Sequence, residues 1–144
     1  MNDNKIMDPV QYIRIIYALK KDIEDWAETN LQDLWPGKFQ LSYMQVLIHI
    51  DREGTTNKLL AKQAQITKQA MSRIISSMVE KNIIEVQTME SDKRYSKINL
   101  TEIGKNIVDE SHLRFSRYID TISDGVDQKS IANSLNILAL LLDK

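Results

Sequence analysis

The sequence predicts a mainly α-helical fold carrying one small β-hairpin, and three observations predict it. Apolar residues recur at helical spacing along most of the chain. The period changes to two in one place, between Asn82 and Thr101. Glycine and proline are scarce, four and two in 144 residues, and Pro36-Gly37, Gly54 and Gly125 stand where helical patterns stop. This length suits one domain with a real core.

Asp8-Pro9 reads as a helix cap followed by proline at the first helical position. "VQYIRIIYALKKDIEDWAETNLQDLW" then reads as one helix of about 26 residues, near ~39 Å long, stopped by Pro36-Gly37. Its apolar positions, among them Val10, Ile13, Ile16, Tyr17, Ile23 and Leu31 with Ile15 and Leu19 added, cover more than one face. Such a helix needs more than one neighbour. In "LSYMQVLIHIDREG" Ser42 and Gln45 have the spacing of a capping box, with Met44, Val46, Leu47 and Ile48 supplying a buried face and Gly54 ending the run. Thr55-Thr56-Asn57 caps a short helix, "KLLAKQA". Gln65-Ile66-Thr67 breaks that pattern, and Thr67 caps a further helix, "KQAMSRIISSMVEK", which Asn82 closes in a left-handed conformation. Ile84 and Val86, then Ile98 and Leu100, alternate with polar neighbours as a hairpin with one face inward. Thr101 caps a long helix to about Ser123, and a last helix spans about 127–142 with Ile131, Leu135, Leu138 and Leu142 at helical spacing.

The totals exclude several classes. No cysteine is present, which removes disulfides, thiolate metal sites and cysteine redox chemistry. The opening "MNDNKIMDP" lacks the basic-then-apolar order of a signal peptide, and no apolar run nears the roughly 20 residues that cross a bilayer, so a cytoplasmic protein is expected. The net charge of −1 hides an uneven distribution. Residues 1–57 carry −3, residues 58–97 carry +4 and residues 98–144 carry −2. A basic middle suits one surface facing an anion, although an excess of that size also arises by chance.

Helix, helix, tight turn, helix and hairpin follow one another. Two helices joined by a short turn form a helix-turn-helix, whose second helix enters the major groove, and a hairpin directly after it makes a winged helix. The second helix has an inward stripe of Ala70, Ile74, Ile75, Met78 and Val79. Lys68, Gln69, Ser72, Arg73 and Ser76 fall mostly opposite, and these are the side-chain types that contact base edges and phosphates. The end capped by Thr67 also favours a phosphate. The same pattern would serve an ordinary amphipathic helix with a solvated face. At the hairpin tip stand Asp92, Lys93 and Arg94. On a rigid ribbon beside a major-groove helix, Arg94 would reach the neighbouring minor groove, whose negative potential attracts arginine. Asp92 has the wrong sign for a phosphate and suits an orienter of Arg94 or Lys93, or a turn former. Charges at such a tip also protect an edge hairpin from aggregation.

From about Leu41 to Gly104 the chain resembles the MarR family of bacterial transcription regulators. The resemblance lies in "LSYMQVLIHI", "LLAKQAQITKQAMSRIISSMVEKNII" and "SDKRYSKINLTEIGK". Its most specific piece is Asp92-Lys93-Arg94 followed by Ile98-Asn99-Leu100-Thr101-x-x-Gly104, which is similar to the family's wing signature. Ser72-Arg73 stands where the family has a hydroxyl residue before arginine on the recognition helix. Leu59, Asn82 and Val86 depart from the family's usual glutamate, glycine and basic residue, and the last removes one phosphate contact. The resemblance implies a winged helix-turn-helix lobe over 41–100, flanked by dimerisation helices over 8–35 and 101–143. It implies a homodimer on a palindromic double-stranded DNA operator, acting in most members as a repressor. Many members release DNA when a small aromatic or phenolic molecule binds between the dimerisation helices and the lobe. The surplus apolar surface on the first and last helices agrees with dimerisation.

His49 and His112 are far apart in sequence, and Asp109 is the one nearby co-ligand for His112, too little to name a metal. Trp26, Trp35, Tyr12 and Tyr17 suit core or dimer packing more than an effector pocket. No nucleophile–base pair, phosphate loop or paired carboxylates are evident, so neither an enzyme nor a cofactor is expected. The competing reading is a winged helix that binds a protein partner and no DNA, which the balanced overall charge permits.

Overall fold

A computed structural model describes residues 8–88 and 96–143. Along these the order is α1 (Pro9–Asn30), α2 (Met44–Leu47), β1 (Thr55–Thr56), α3 (Asn57–Ala64), α4 (Lys68–Glu80), β2 (Ile84–Thr88), β3 (Ser96–Leu100), α5 (Glu102–Ile122) and α6 (Gln128–Leu142). Packing divides the chain into two units, with the boundary after Ser111.

In the first unit, the Asp8 carboxylate accepts from the Val10 amide at 3.0 Å and Pro9 opens α1. The helix stops at Asn30, five residues short of the sequence expectation. Gln32 explains the early stop. Its side chain accepts from the Phe39 amide at 3.1 Å and donates to the Gly37 carbonyl at 3.0 Å, folding the Pro36-Gly37 loop back onto the helix end. That fold gathers Trp35, Phe39 and Tyr43 into a buried cluster, with the Trp35 and Tyr43 rings stacked at 4.5 Å. The expected capping box does not form. Ser42 lies inside a 3₁₀ turn, Leu41–Tyr43, and α2 is a single α-helical turn that Ser42 does not cap. Val46 and Leu47 are buried, while Ile48 is exposed.

The two helices that follow match the expected caps. The Thr56 hydroxyl accepts from the Leu59 amide at 3.2 Å, and the Thr67 hydroxyl accepts from the Ala70 amide at 3.0 Å. Gln65 closes α3 at φ 56°, with the Ile66 amide donating to the Ala61 carbonyl at 3.1 Å. Asn82 closes α4 at φ 59° in the same way, the Ile83 amide donating to the Met78 carbonyl at 3.0 Å. The buried stripe of α4 is Met71, Ile74, Ile75 and Met78. Met71 takes a place the sequence reading had given to Ala70 and Val79, and Val79 is exposed. These side chains pack with Leu60, Ile83, Ile84, Ile98 and Leu100 in one core of fully or nearly fully buried residues. Each such aliphatic side chain contributes ~1.5–3 kcal/mol of burial free energy.

The hairpin is part of a three-stranded antiparallel sheet in the order β1-β3-β2. β3 pairs Ile98 with Val86 and Leu100 with Ile84 on one side, and Ile98 with Thr55 on the other. β1 was not foreseen, because two threonines carry no periodic signal. Gly54 turns the chain into it at φ 105°, where a Cβ would stand 2.6 Å from Asn99 Oδ1. The inward face holds for Ile84, Ile98 and Leu100 but fails at Val86, which is 46% exposed as the strand leaves the core.

In the second unit, the Asp127 carboxylate caps α6 through the Ser130 amide (2.9 Å) and the Ser130 hydroxyl (2.7 Å). Leu135, Ile137, Leu140, Leu141 and Leu142 of α6 are exposed. In the first unit α1 likewise exposes Val10, Ile13, Ile15 and Tyr17. Among the described residues no helix is long and apolar enough to cross a membrane.

Candidate nucleic-acid interface

The candidate surface is the outer face of α4. Its geometry follows from helical spacing. Gln69, Ser72, Arg73 and Ser76 are three or four residues apart and share a face. Thr67, Lys68, Gln69, Ser72, Arg73 and Ser76 are all exposed, and Met71, Ile74, Ile75 and Met78 lie buried behind them. All six of these expected site residues are therefore exposed, Lys68, Gln69, Ser72, Arg73 and Ser76 along α4 and Thr67 at its N-cap. At the N-terminal end the Thr67 hydroxyl takes the Ala70 amide and no acidic residue stands in the first turn. That end suits an anion, and Lys68 adds a cation.

Three tethers hold α4 along its length. The Asn57 side-chain amide, on the first turn of α3, donates to Ser72 Oγ at 2.8 Å. The hydroxyls of Tyr43 and Ser77 lie 2.6 Å apart. Lys81 donates to the Lys38 carbonyl at 2.8 Å and lies 5.3 Å from the Tyr43 ring centre. A face fixed in this way presents its polar groups without first paying ordering entropy. None of these tethers was read from the sequence, since each joins residues 15 or more apart.

The two strands of the expected hairpin are present. β2 and β3 place an exposed Lys97 opposite Gln87. Asp92, Lys93 and Arg94 lie outside the described residues.

A separate apolar cleft of about 530 Å³ opens beside α1, lined by Ile16, Leu19 and Ile23 of that helix and by Leu41, Met44 and Ile48. This is within the range of small-molecule sites. Lys20 and Glu24, ion-paired at 2.7 Å, also line it, and Glu24 raises the pKa of the Lys20 ammonium. None of Tyr12, Tyr17, Trp26 and Trp35 lines the cleft, and Trp35 belongs to the core. Asp109 is paired with Arg52 at 3.1 Å. Among the described residues no group of three potential metal ligands occurs.

The comparisons agree with this geometry. Residues 39–94 match the model of the MarR family. The transcriptional regulator SlyA superposes with a TM-score of 0.81 at 17% identity, covering 92% of each chain. Streptococcus pneumoniae FabT, solved in complex with DNA, gives 0.74 at 18% identity over 94% of this chain and 96% of its own. The S. aureus MepR–DNA complex gives 0.75 at 18% identity over 92% and 96%. The structural likenesses establish a winged helix-turn-helix fold, and over residues 39–94 the chain is similar to the MarR family.

Proposed function

We propose that this protein is a sequence-specific DNA-binding transcription regulator. It acts as a homodimer, each protomer placing α4 in the major groove of one half of a palindromic operator and its wing in the flanking minor groove. The observation that carries this reading is the outer face of α4, where Thr67, Lys68, Gln69, Ser72, Arg73 and Ser76 stand exposed on a tethered helix. FabT and MepR, which share the fold, were each solved with DNA. Asp92, Lys93 and Arg94 complete the surface as the minor-groove element, with Arg94 as the inserted cation.

The exposed apolar residues of α1 and α6 support a second copy as partner. Repression is the mode of action, relieved when a small aromatic or phenolic effector fills the cleft beside α1. The PefR protein of Streptococcus agalactiae, with a TM-score of 0.59 at 19% identity, was solved with heme, so a relative of this fold takes a flat aromatic ligand. The regulator works in the cytoplasm.

Binding of the purified protein to duplexes from the promoter of its own gene tests the reading. Tight binding that falls steeply with salt is expected, because phosphate contacts release counterions. No binding to any duplex, or a flat salt titration, would overturn it in favour of a protein-binding winged helix.

A further inference from the structure

We infer that Asn57 biases base specificity by strengthening Ser72 as a hydrogen-bond donor toward DNA; the inference rests on the reading of α4 as a recognition helix. Asn57 occupies the first turn of α3, and its side-chain Nδ2 donates to Ser72 Oγ at 2.8 Å. Ser72 is exposed between Gln69 and Ser76 on the outer face of α4. Asn57 Oδ1 is buried and has no partner among the described residues. That orphan defines the orientation. Turning the carboxamide over would let Ser72 donate to the oxygen, but it would bury the amide's two N–H donors where one carbonyl now goes unpaired. Leaving more polar hydrogens unsatisfied is the costlier arrangement.

A free serine hydroxyl reads any base, since it both donates and accepts. With one lone pair occupied by Asn57, Ser72 turns its proton and its one remaining lone pair outward, and accepting a bond makes a hydroxyl the better donor. In the major groove guanine offers N7 and O6, adenine N7 and thymine O4, whereas cytosine offers only its amino donor. The pair therefore favours an acceptor-bearing edge over cytosine at one position of each half-site. Asn57 is a positioning residue in this scheme, because it touches Ser72 and not the base.

The test is selection from a randomised duplex library with the full-length protein, its Asn57→Ala, Asn57→Asp and Ser72→Ala variants, and thermal melts alongside. Wild type is expected to disfavour cytosine in one column per half-site by about tenfold. Asn57→Ala should admit cytosine there while other columns stay fixed. Asn57→Asp should invert the column: the carboxylate accepts from Ser72, whose lone pairs then face the groove and choose cytosine. Ser72→Ala should flatten it. A merely structural role for Asn57 cannot invert a base preference. Should wild type select a motif that Asn57→Ala and Asn57→Asp leave unchanged column by column, or weaken uniformly as for a phosphate contact, the inference is wrong. Should wild type select no motif, the DNA reading itself fails.

Discussion

Gly104, in the first turn of α5, lies against the backbone carbonyl of Ile83 so closely that a Cβ on it would stand 2.1 Å from that oxygen. The same carbonyl accepts the Thr101 amide at 3.0 Å, and the Thr101 hydroxyl, 2.7 Å from the Asn82 carbonyl, accepts the Gly104 amide at 3.0 Å. Leu-Thr-x-x-Gly is thus a joint that fastens the end of α4, the start of β2 and the start of α5 to one another. Threonine supplies the bonds and glycine supplies the room.

Gly104→Ala is therefore expected to cost about 2–3 kcal/mol, since the colliding atom is backbone and cannot rotate away. Alanine favours a helix over glycine by about 1 kcal/mol, so a neutral joint would give stabilisation. The sign of the change in denaturant midpoint decides between them, and a rise would mean that the Ile83 backbone yields freely.

Arg73→Ala is expected to weaken operator binding by ~1–3 kcal/mol and to lower the salt slope by about 1 if Arg73 holds a phosphate. Arg73 is exposed, so the melting temperature should not move. Affinity is read by fluorescence anisotropy at several salt concentrations. Unchanged affinity at every salt would remove Arg73 from the interface.

Much of this fold was legible because its signals are local. Thr56, Thr67 and Asp127 each accept from an amide three residues on, and Asn82 has the left-handed φ that its place after an amphipathic run demands. The exposure of Lys68, Gln69, Ser72, Arg73 and Ser76 was legible for the same reason, since helical period separates them from Ile74 and Met78. What stayed hidden depends on distant partners. The stop of α1 at Asn30 is set by Gln32 reaching Gly37 and Phe39. β1 exists because β3 lies beside it, and Ser42 fails as a cap because Tyr43 is drawn into the aromatic cluster with Trp35. The Asn57–Ser72 tether left no trace in pattern or charge.

His49 is half-buried, and desolvation lowers its pKa from the ordinary 6.5. The unfolded chain then binds this proton more readily than the folded one. Stability should fall as pH drops through about 6.5 and level off below the folded-state value. His49→Gln should flatten that part of the stability curve, measured by urea denaturation between about pH 5 and 7.5. An equal slope in the variant would assign it to other groups.

Tyr43 connects two regions with different tasks. Its neighbours Leu41, Ser42, Met44 and Gln45 line the cleft beside α1, while its own hydroxyl meets Ser77 of α4 at 2.6 Å. Its ring stacks on Trp35 and lies beneath Lys81. Tyr43→Phe keeps the stacking and removes one half-buried hydrogen bond, which should cost about 1 kcal/mol. Ser77→Ala removes the same bond from the other side. In a double-mutant cycle the pair should be coupled by ~0.5–1.5 kcal/mol, because the second substitution loses nothing the first has not already lost. Strictly additive losses would show that the two hydroxyls are satisfied elsewhere and that α4 is not held at this point. If coupling is found, the same cycle run on DNA affinity separates holding the helix from shaping it. A joint that only stabilises leaves operator affinity unchanged at a temperature where both variants are folded. A joint that sets the pitch of α4 in the groove lowers affinity in Tyr43→Phe and Ser77→Ala alike.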